Sequence, residues 1–169
     1  FRRVLFRSID ALDAASSPST VATTVGGSGT NMNVAKLRAA AKALNEKNVP
    51  SENRYILMHA SQLDSLLSET EVTSSDFAAV KSLVQGEVNT FLGFTFITMG
   101  DRDEGGVPKP STRTCFAWHQ DSMGYAESMA QKSEVNYIPE KTSFLVSSMF
   151  SAGAVAIDDD GIVKISCTE

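Results

Sequence analysis

One stretch of the chain, residues 31–67, limits the possible folds more than any other part. Its apolar residues recur at helical spacing, which predicts an amphipathic helix with one apolar stripe. Asn31 or Asn33 can cap the first turn of this helix, because a side-chain amide oxygen accepts a backbone N–H there. Asn48 can close the helix in a left-handed conformation, and Pro50 prevents its continuation.

The residues after Pro50 predict a buried strand and then another helix. The run 54–58 is short and nearly all apolar, which is typical of a strand covered on both faces. Ser61 opens a second helix that carries leucines at helical spacing. A helix, a proline turn, a buried strand and a helix in this order predict an α/β or α+β layer.

The rest of the chain continues with strands and turns. We predict a helix over 76–85, a turn at Gly93, strands at 94–99 and 114–119, a turn or short helix at 121–126, two long antiparallel strands within 127–152 broken at 139–141, and a terminal strand pair at 153–157 and 161–165.

The first thirty residues give weaker signals. Residues 1–8 read FRRVLFRS and do not join smoothly to the residues after them, so we interpret them as a non-native scar; the alternative is a genuine amphipathic segment. Residues 9–15 fit the tail of a helix whose beginning lies upstream. Residues 16–30 are rich in Ser, Thr and Gly, which predicts a mobile linker; their GGSG lacks the lysine of a phosphate-binding loop.

Composition excludes several classes of function. A chain of 169 residues with 42% hydrophobic residues fits one domain, or one domain plus a subdomain. Its net charge of −5 argues against tight binding to a phosphate backbone. Cys115 and Cys167 are too few for a disulfide scaffold, so buried thiols are expected, with a bridge as the alternative. No apolar run approaches the ~20 residues that span a bilayer.

The residues that carry chemistry form no recognisable site. Cys115 and His119 would point to one face of a strand about 13 Å apart, too far to share a metal. Asp158 and Asp160 lack the further ligands of a calcium loop, and a surface ion pair is expected for Arg54. We therefore predict no catalytic, cofactor or metal residues, and a protein that is not an enzyme.

Five segments in order resemble the C-terminal part of a tailed-phage major capsid protein with the Hong Kong 97-like fold. They are LNEKNVP at 44–50, RYILM at 54–58 with SQL at 61–63, GEV at 86–88 with LGF at 92–94, TCFAWH at 114–119, and the closing run GA, ID and GIVKI between 153 and 165.

The resemblance implies an α+β fold with two parts. An axial domain would hold 31–125 with 154–169, and a peripheral domain would receive the long strands of 126–153. The N-terminal arm, extended loop and spine helix of the family would lie upstream. Residues 9–30 would be a linker and the end of an upstream helix.

The resemblance also implies a function. The chain would be a coat subunit of an icosahedral phage head enclosing DNA, assembled in the host bacterial cytoplasm. Its partners would be other copies of itself and also a scaffolding protein or portal, without specific nucleic-acid readout and without a membrane. Two alternatives stay open: an encapsulin-like cellular compartment shell, and a small α/β enzyme or ligand-binding domain with an unrecognised site.

The loop at 100–113 is the part of the chain that we expect to contact other subunits. It mixes both signs of charge, which suits salt-sensitive contacts between copies, and it offers few apolar atoms to anchor it. A solvated loop without a partner is the alternative. The candidate contact residues are Asp101, Arg102, Asp103, Glu104 and Lys109.

Overall fold

A computed structural model describes residues 2–27, 29–68, 90–100, 107, 109 and 112–168. The predicted helix at 76–85 lies outside the described residues. The helices are α1 (Arg2–Asp13), α2 (Val34–Glu46) and α3 (Ala60–Ser68). The strands are β1 (Ser19–Val21), β2 (Arg54–His59), β3 (Thr90–Phe91), β4 (Phe94–Met99), β5 (Arg113–His119), β6 (Met123–Ile138), β7 (Ser143–Ala156) and β8 (Ile162–Cys167). Short 3-10 turns occupy Gln120–Ser122, Pro139–Lys141 and Asp159–Gly161.

Six strands form one mixed sheet in the order β1-β8-β5-β2-β4-β3. The pairs β1–β8 and β2–β4 are parallel, and the other neighbours are antiparallel. One face of the sheet packs against α2 and α3, with Leu37, Leu44 and Leu66 in the core. The other face packs against α1 through Ile9 and Leu12. Helices therefore cover the sheet on both sides.

Both ends of α2 form as the asparagines predict. Asn33 caps its start by accepting a backbone N–H at 2.7 Å. At its end Asn48 has φ 57°, and its N–H donates to Asn45 O at 3.0 Å. Val49 N–H donates to Leu44 O at 3.0 Å, which completes a Schellman motif.

The strand predicted after Pro50 is central and buried. Ile56, Leu57 and Met58 are all excluded from solvent. Ile56 and Met58 face the α2 side of the sheet, and Leu57 faces the α1 side. This confirms a strand covered on both faces. The helix after it begins at Ala60, one residue before the predicted Ser61.

The two long antiparallel strands are also confirmed. β6 and β7 form a separate two-stranded sheet, and Pro139–Lys141 makes its tip. The ladder pairs residues from Met123 with Ala156 to Ile138 with Ser143, so it extends past both ends of the predicted 127–152. Register shifts near Met129 place extra residues on β6.

Three expectations for the connecting segments are wrong. Residues 16–30 are not only a linker, because Ser19–Val21 pairs in parallel with β8; three residues are too few to give a periodic signal. The terminal pair does not form: residues 154–156 pair with β6, and β8 lies between β1 and β5. Val163, Ile165 and Cys167 are buried on one face of β8, and the strand lies inside the sheet with a neighbour on each edge. Gly124 lies inside β6 rather than in a turn.

The helix α1 begins at Arg2 and so includes most of the segment interpreted as non-native. The origin of residues 1–8 stays a prediction. None of the helices in the described part of the chain is long and apolar enough to cross a membrane.

Candidate subunit-contact surface

The β6–β7 hairpin carries most of the large apolar side chains that the described residues leave exposed. Outside it, only Leu92 and Ile157 belong to this group. The exposed hairpin residues are Tyr125, Met129, Val135, Tyr137, Phe144, Leu145, Val146, Met149, Phe150 and Val155. Contiguous exposed apolar surface of this kind marks sites of interaction.

Four of these residues form a block at the far half of the hairpin, which we name the distal apolar face. Val135 pairs with Val146 and Tyr137 pairs with Phe144, so all four side chains point to one side of the ladder. The rings of Tyr137 and Phe144 lie 5.2 Å apart, tilted by 54°. The four side chains are 64%, 53%, 70% and 68% exposed in the order Val135, Tyr137, Phe144, Val146.

The opposite side of the same half is mixed in character. Lys132 Nζ lies 2.7 Å from Glu134 Oε1, and Asn136 pairs with Leu145. Leu145 and Met149 are exposed there among polar neighbours. The hairpin therefore has one apolar side and one side that carries charge.

The apolar side of β7 is already covered at its base. α1 packs against β7, and Ala156 lies against the core cluster that contains Leu12. Ala152, Ala154 and Ala156 are half-buried, while the residues between them are exposed. Alternation along the strand puts these alanines on the same side as Phe144 and Val146. A single apolar side therefore runs along β7, covered near α1 and open towards the tip.

Of the charged loop residues predicted as contacts, the structure describes only one. Asp101, Arg102, Asp103 and Glu104 lie outside the described residues, and Lys109 is exposed. Val107 is one apolar anchor of this loop, because it is buried against the α1 side of the sheet. Its carbonyl oxygen accepts a bond from Arg113 Nη1 at 3.2 Å.

Arg54 is buried, so the expected surface ion pair is wrong. Its Nε donates to Pro50 O at 2.7 Å, and its Nη2 donates to Asn45 Oδ1 at 2.8 Å and to Val49 O at 2.5 Å. Burial lowers the pKa of its guanidinium. The side chain ties the end of α2 to β2, which explains how an arginine can begin a buried strand.

Lys36 is a second buried cation, and the helical pattern does not reveal it. Its Nζ donates to Thr30 O at 2.5 Å and to Ser166 O at 2.9 Å. Burial lowers the pKa of its ammonium group, against the opposing effect of nearby Cys167. Lys36 thus joins the segment before α2 to the end of β8.

The two cysteines are free and buried, as expected. The hydrogen bond between them is the main cause of both pKa shifts: it raises the pKa of Cys115 and lowers that of Cys167. They occupy diagonal positions on β5 and β8, since Cys167 pairs with Arg113. Diagonal Cα atoms lie about 7–8 Å apart, beyond the usual span of a disulfide.

A shallow groove lies on the outer side of α2, next to the turn between β3 and β4. Lys42 and Glu46 form an ion pair within it at 3.4 Å. Its lining residues are Arg38, Ala41, Lys42, Asn45, Glu46 and Leu92. Within the described ranges, no group of three or more His, Cys, Asp or Glu side chains is placed to hold a metal.

Comparison with known proteins gives one family and a set of solved structures. A family model described as phage capsid protein matches residues 5–169. A structure from Mycobacterium phage Che8 is 17% identical at a TM-score of 0.68, covering 93% of this chain and 55% of that one. The capsid structure of Helicobacter pylori bacteriophage KHP30 is 11% identical at 0.69, covering 99% and 65%.

A holo-encapsulin complex from Synechococcus elongatus is also similar, at 12% identity and a TM-score of 0.56, covering 98% of this chain and 59% of that one. The chain thus spans less than two thirds of the length of these structures. Among curated proteins, no sequence matches it.

Proposed function

Because the chain belongs to the phage capsid protein family and has its α+β, Hong Kong 97-like fold, we propose that it is part of a major capsid protein that builds an icosahedral phage head enclosing DNA. The match of the family to residues 5–169 is the observation that carries this proposal. It favours a structural role over the enzymatic alternative.

The division of the molecule into a buried sheet and an exposed hairpin supports a coat role. A shell is built from repeated contacts between identical copies, so its subunit needs a stable body and extended contact surfaces. The central sheet supplies the first and the β6–β7 hairpin the second. We assign 31–125 with 154–169 to the axial domain and 126–153 to the peripheral domain.

The partners we propose are other copies of the chain, with a scaffolding protein or portal during assembly in the host cytoplasm. Specific readout of nucleic acid is not part of this function. The net charge of −5 supports this, since phosphate binding depends on concentrated Lys and Arg.

Expression of the full-length natural protein tests the function directly. We expect closed shells of uniform size by electron microscopy, and nuclease-protected DNA in shells isolated from phage-producing cells. A full-length protein that stays monomeric under all assembly conditions, alone and with its neighbouring gene products, contradicts the proposal.

The encapsulin-like shell is the second candidate, and the likeness to the Synechococcus elongatus complex favours it. The contents of the shell distinguish the two. DNA inside native shells supports the phage head, whereas a packaged cargo protein without DNA supports a compartment.

The charged loop stays a proposed contact between copies. Neutralising Asp101, Asp103 and Glu104 to Asn, Asn and Gln in the full-length protein should weaken assembly most at low salt. The change retains Val107, because deleting it would remove a core residue. Glu52→Gln with Asp64→Asn, which neutralises carboxylates elsewhere on the chain, is the control. Equal assembly of both variants contradicts the loop contact.

A further inference from the structure

The chain passes between the central sheet and the β6–β7 hairpin at two crossings, and these crossings contact each other. Gln120–Ser122 leads from β5 into β6, and residues 157–161 lead from β7 into β8. Ser122 O accepts the backbone N–H of Ile157 at 2.9 Å and that of Asp158 at 3.3 Å. One carbonyl oxygen therefore ties the two crossings together where the hairpin leaves the sheet.

The crossings are also packed too closely for a side chain at residue 161. Ser122 and Gly161 are both buried. A Cβ on residue 161 would overlap Ser122 Oγ and would lie 2.8 Å from Ser122 Cβ. Rotation of the hydroxyl relieves the first overlap, but Cβ is fixed to the backbone, so the first crossing would have to move. Gly161 does not have a positive φ, so this position needs the absence of a side chain rather than a special backbone conformation.

Each crossing is bonded to the body of the molecule, by which we mean the central sheet with its helices. Gln120 N–H donates to Asn53 O at 3.1 Å, in the turn before β2. Asp159 Oδ2 accepts the N–H of Ser17 at 2.9 Å, in the segment after α1. The crossings are thus held to two separate parts of the body as well as to each other.

From these contacts we infer that Ser122 and Gly161 form a clasp that fixes the direction in which the hairpin leaves the sheet. The combined volume of the two residues sets the angle between the two regions, because the crossings can approach this closely only while residue 161 has no side chain. With the clasp closed, the hairpin and the body form one rigid unit. This clasp is a property of the single chain, so it goes beyond the proposed coat function and does not depend on it.

The length of the hairpin makes its tip sensitive to small changes at its base. β7 has 14 residues. A strand of that length spans about 46 Å, so a tilt of about 5° at the base moves the tip by about 4 Å. α1 packs against β7 and supports one side of the hairpin. Opening the clasp should therefore give a limited tilt rather than free rotation.

Two glycine-to-alanine variants test the clasp on the 169-residue chain. Gly161→Ala places a methyl group against Ser122, whereas Gly153→Ala, within β7, meets nothing within 4 Å and is the matched control. Combining Ser122→Gly with Gly161→Ala removes the obstructing side chain and should restore the fit. Nitroxide labels on Ala35→Cys in α2 and Glu140→Cys at the tip report the angle, since both positions are exposed and the native thiols are buried.

We expect a single narrow distribution of distances between the labels in the parent and in Gly153→Ala. Gly161→Ala should shift this distance by several Å or clearly broaden it, and the double variant should return it to the parent distance. Hydrogen exchange of the Ile157 and Asp158 amides should also rise in Gly161→Ala while the amides of β5 and β8 stay protected.

An unchanged distance in Gly161→Ala overturns the inference, and so does a double variant that does not return to the parent distance. Faster exchange spread equally over β5 and β8 would show a general loss of stability and contradicts the clasp as well. Where Gly161→Ala fails to fold, recovery of both folding and the parent distance in the double variant supports the clasp, and failure to recover contradicts it. Because these measurements use the isolated chain, their outcome is independent of whether the full-length protein forms shells.

Discussion

The central sheet and the β6–β7 hairpin are built from the same kinds of residue but bury them very differently. In the sheet, Ile56, Phe116 and Val163 are completely excluded from solvent between two layers of helix. In the hairpin, Phe144 and Val146 face solvent over most of their surface. β-Branched and aromatic residues favour strands, so both regions form strands. What separates the two regions is therefore the layer that covers them.

This difference assigns stability to one region and contact to the other. Burying a large apolar side chain contributes about 1.5–3 kcal/mol to the stability of the fold. The exposed hairpin side chains contribute little of this burial free energy until another surface covers them. An apolar residue replaced by a charge should therefore reduce the stability of the fold in the sheet, but should leave it almost unchanged in the hairpin.

The largest effect is expected at the middle of β2. Ile56→Asp places a carboxylate among apolar side chains on the α2 side of the sheet, without a cation to pair with it. We expect a loss of at least about 4 kcal/mol, enough to abolish soluble folding of a marginally stable domain. Solubility and circular dichroism measure it. A melting temperature within a few degrees of the parent would mean that β2 is not a buried central strand.

A smaller loss is expected where the polar contacts of the core are removed. Arg54→Ala deletes the bonds to Pro50, Asn45 and Val49 and leaves buried acceptors behind. About 3 kcal/mol should be lost in urea denaturation. Arg54→Lys keeps the charge but not the planar fork, so it should recover only part of the loss. Full recovery by lysine would show that charge rather than geometry matters here.

Lys36 gives an effect that depends on pH. Lys36→Met keeps much of the side-chain volume but removes the bonds to Thr30 O and Ser166 O, at a cost of about 1–2 kcal/mol. Burial lowers the pKa of the Lys36 ammonium below its ordinary value of 10.5. Between the lowered value and 10.5 the unfolded chain binds more protons, so the parent gains stability as pH rises through this window.

Denaturation of the parent and of Lys36→Met at about pH 7 and about pH 10 tests this sign. The difference between the two proteins should grow at the higher pH. Effects of other titrating groups appear in both and cancel in the difference. A constant difference would show that Lys36 keeps an ordinary pKa in the folded protein.

The smallest effect on folding is expected at the hairpin. Val146→Asp exchanges an exposed apolar residue for a charge, and surface substitutions usually change stability by no more than about 0.5 kcal/mol. The melting temperature of the dilute monomer should barely move. A loss comparable to that of Ile56→Asp would show that the hairpin side chain is buried within a single chain.

Local signals explain which parts of the fold could be predicted. The Asn33 cap, the left-handed Asn48 and the apolar run of β2 each act through nearby residues, and all three are present. The family resemblance, carried by short segments in order, is confirmed by the match over residues 5–169.

Long-range pairing explains what could not be predicted. β1 and β8 are separated by almost the whole chain, and no local pattern indicates that Val21 pairs with Ile165. Buried cations such as Lys36 and Arg54 look like surface residues in the sequence, because their carbonyl partners carry no sequence signal.

The sequence does not reveal the contact surface for a related reason. Alternation of apolar and polar residues, as in Glu134 to Tyr137, predicts a strand with one covered side. It does not say whether the cover comes from the same chain. The charged loop stands out in the sequence instead, because its composition is unusual.

The position of β8 has a consequence for synthesis. β8 lies between β1 and β5, so the sheet stays divided until Ile162–Cys167 has left the ribosome. A nascent chain that has emerged only as far as the hairpin can form local helices, but it cannot join β1 to the rest of the sheet. A product truncated before Ile162 would therefore remain open to proteases.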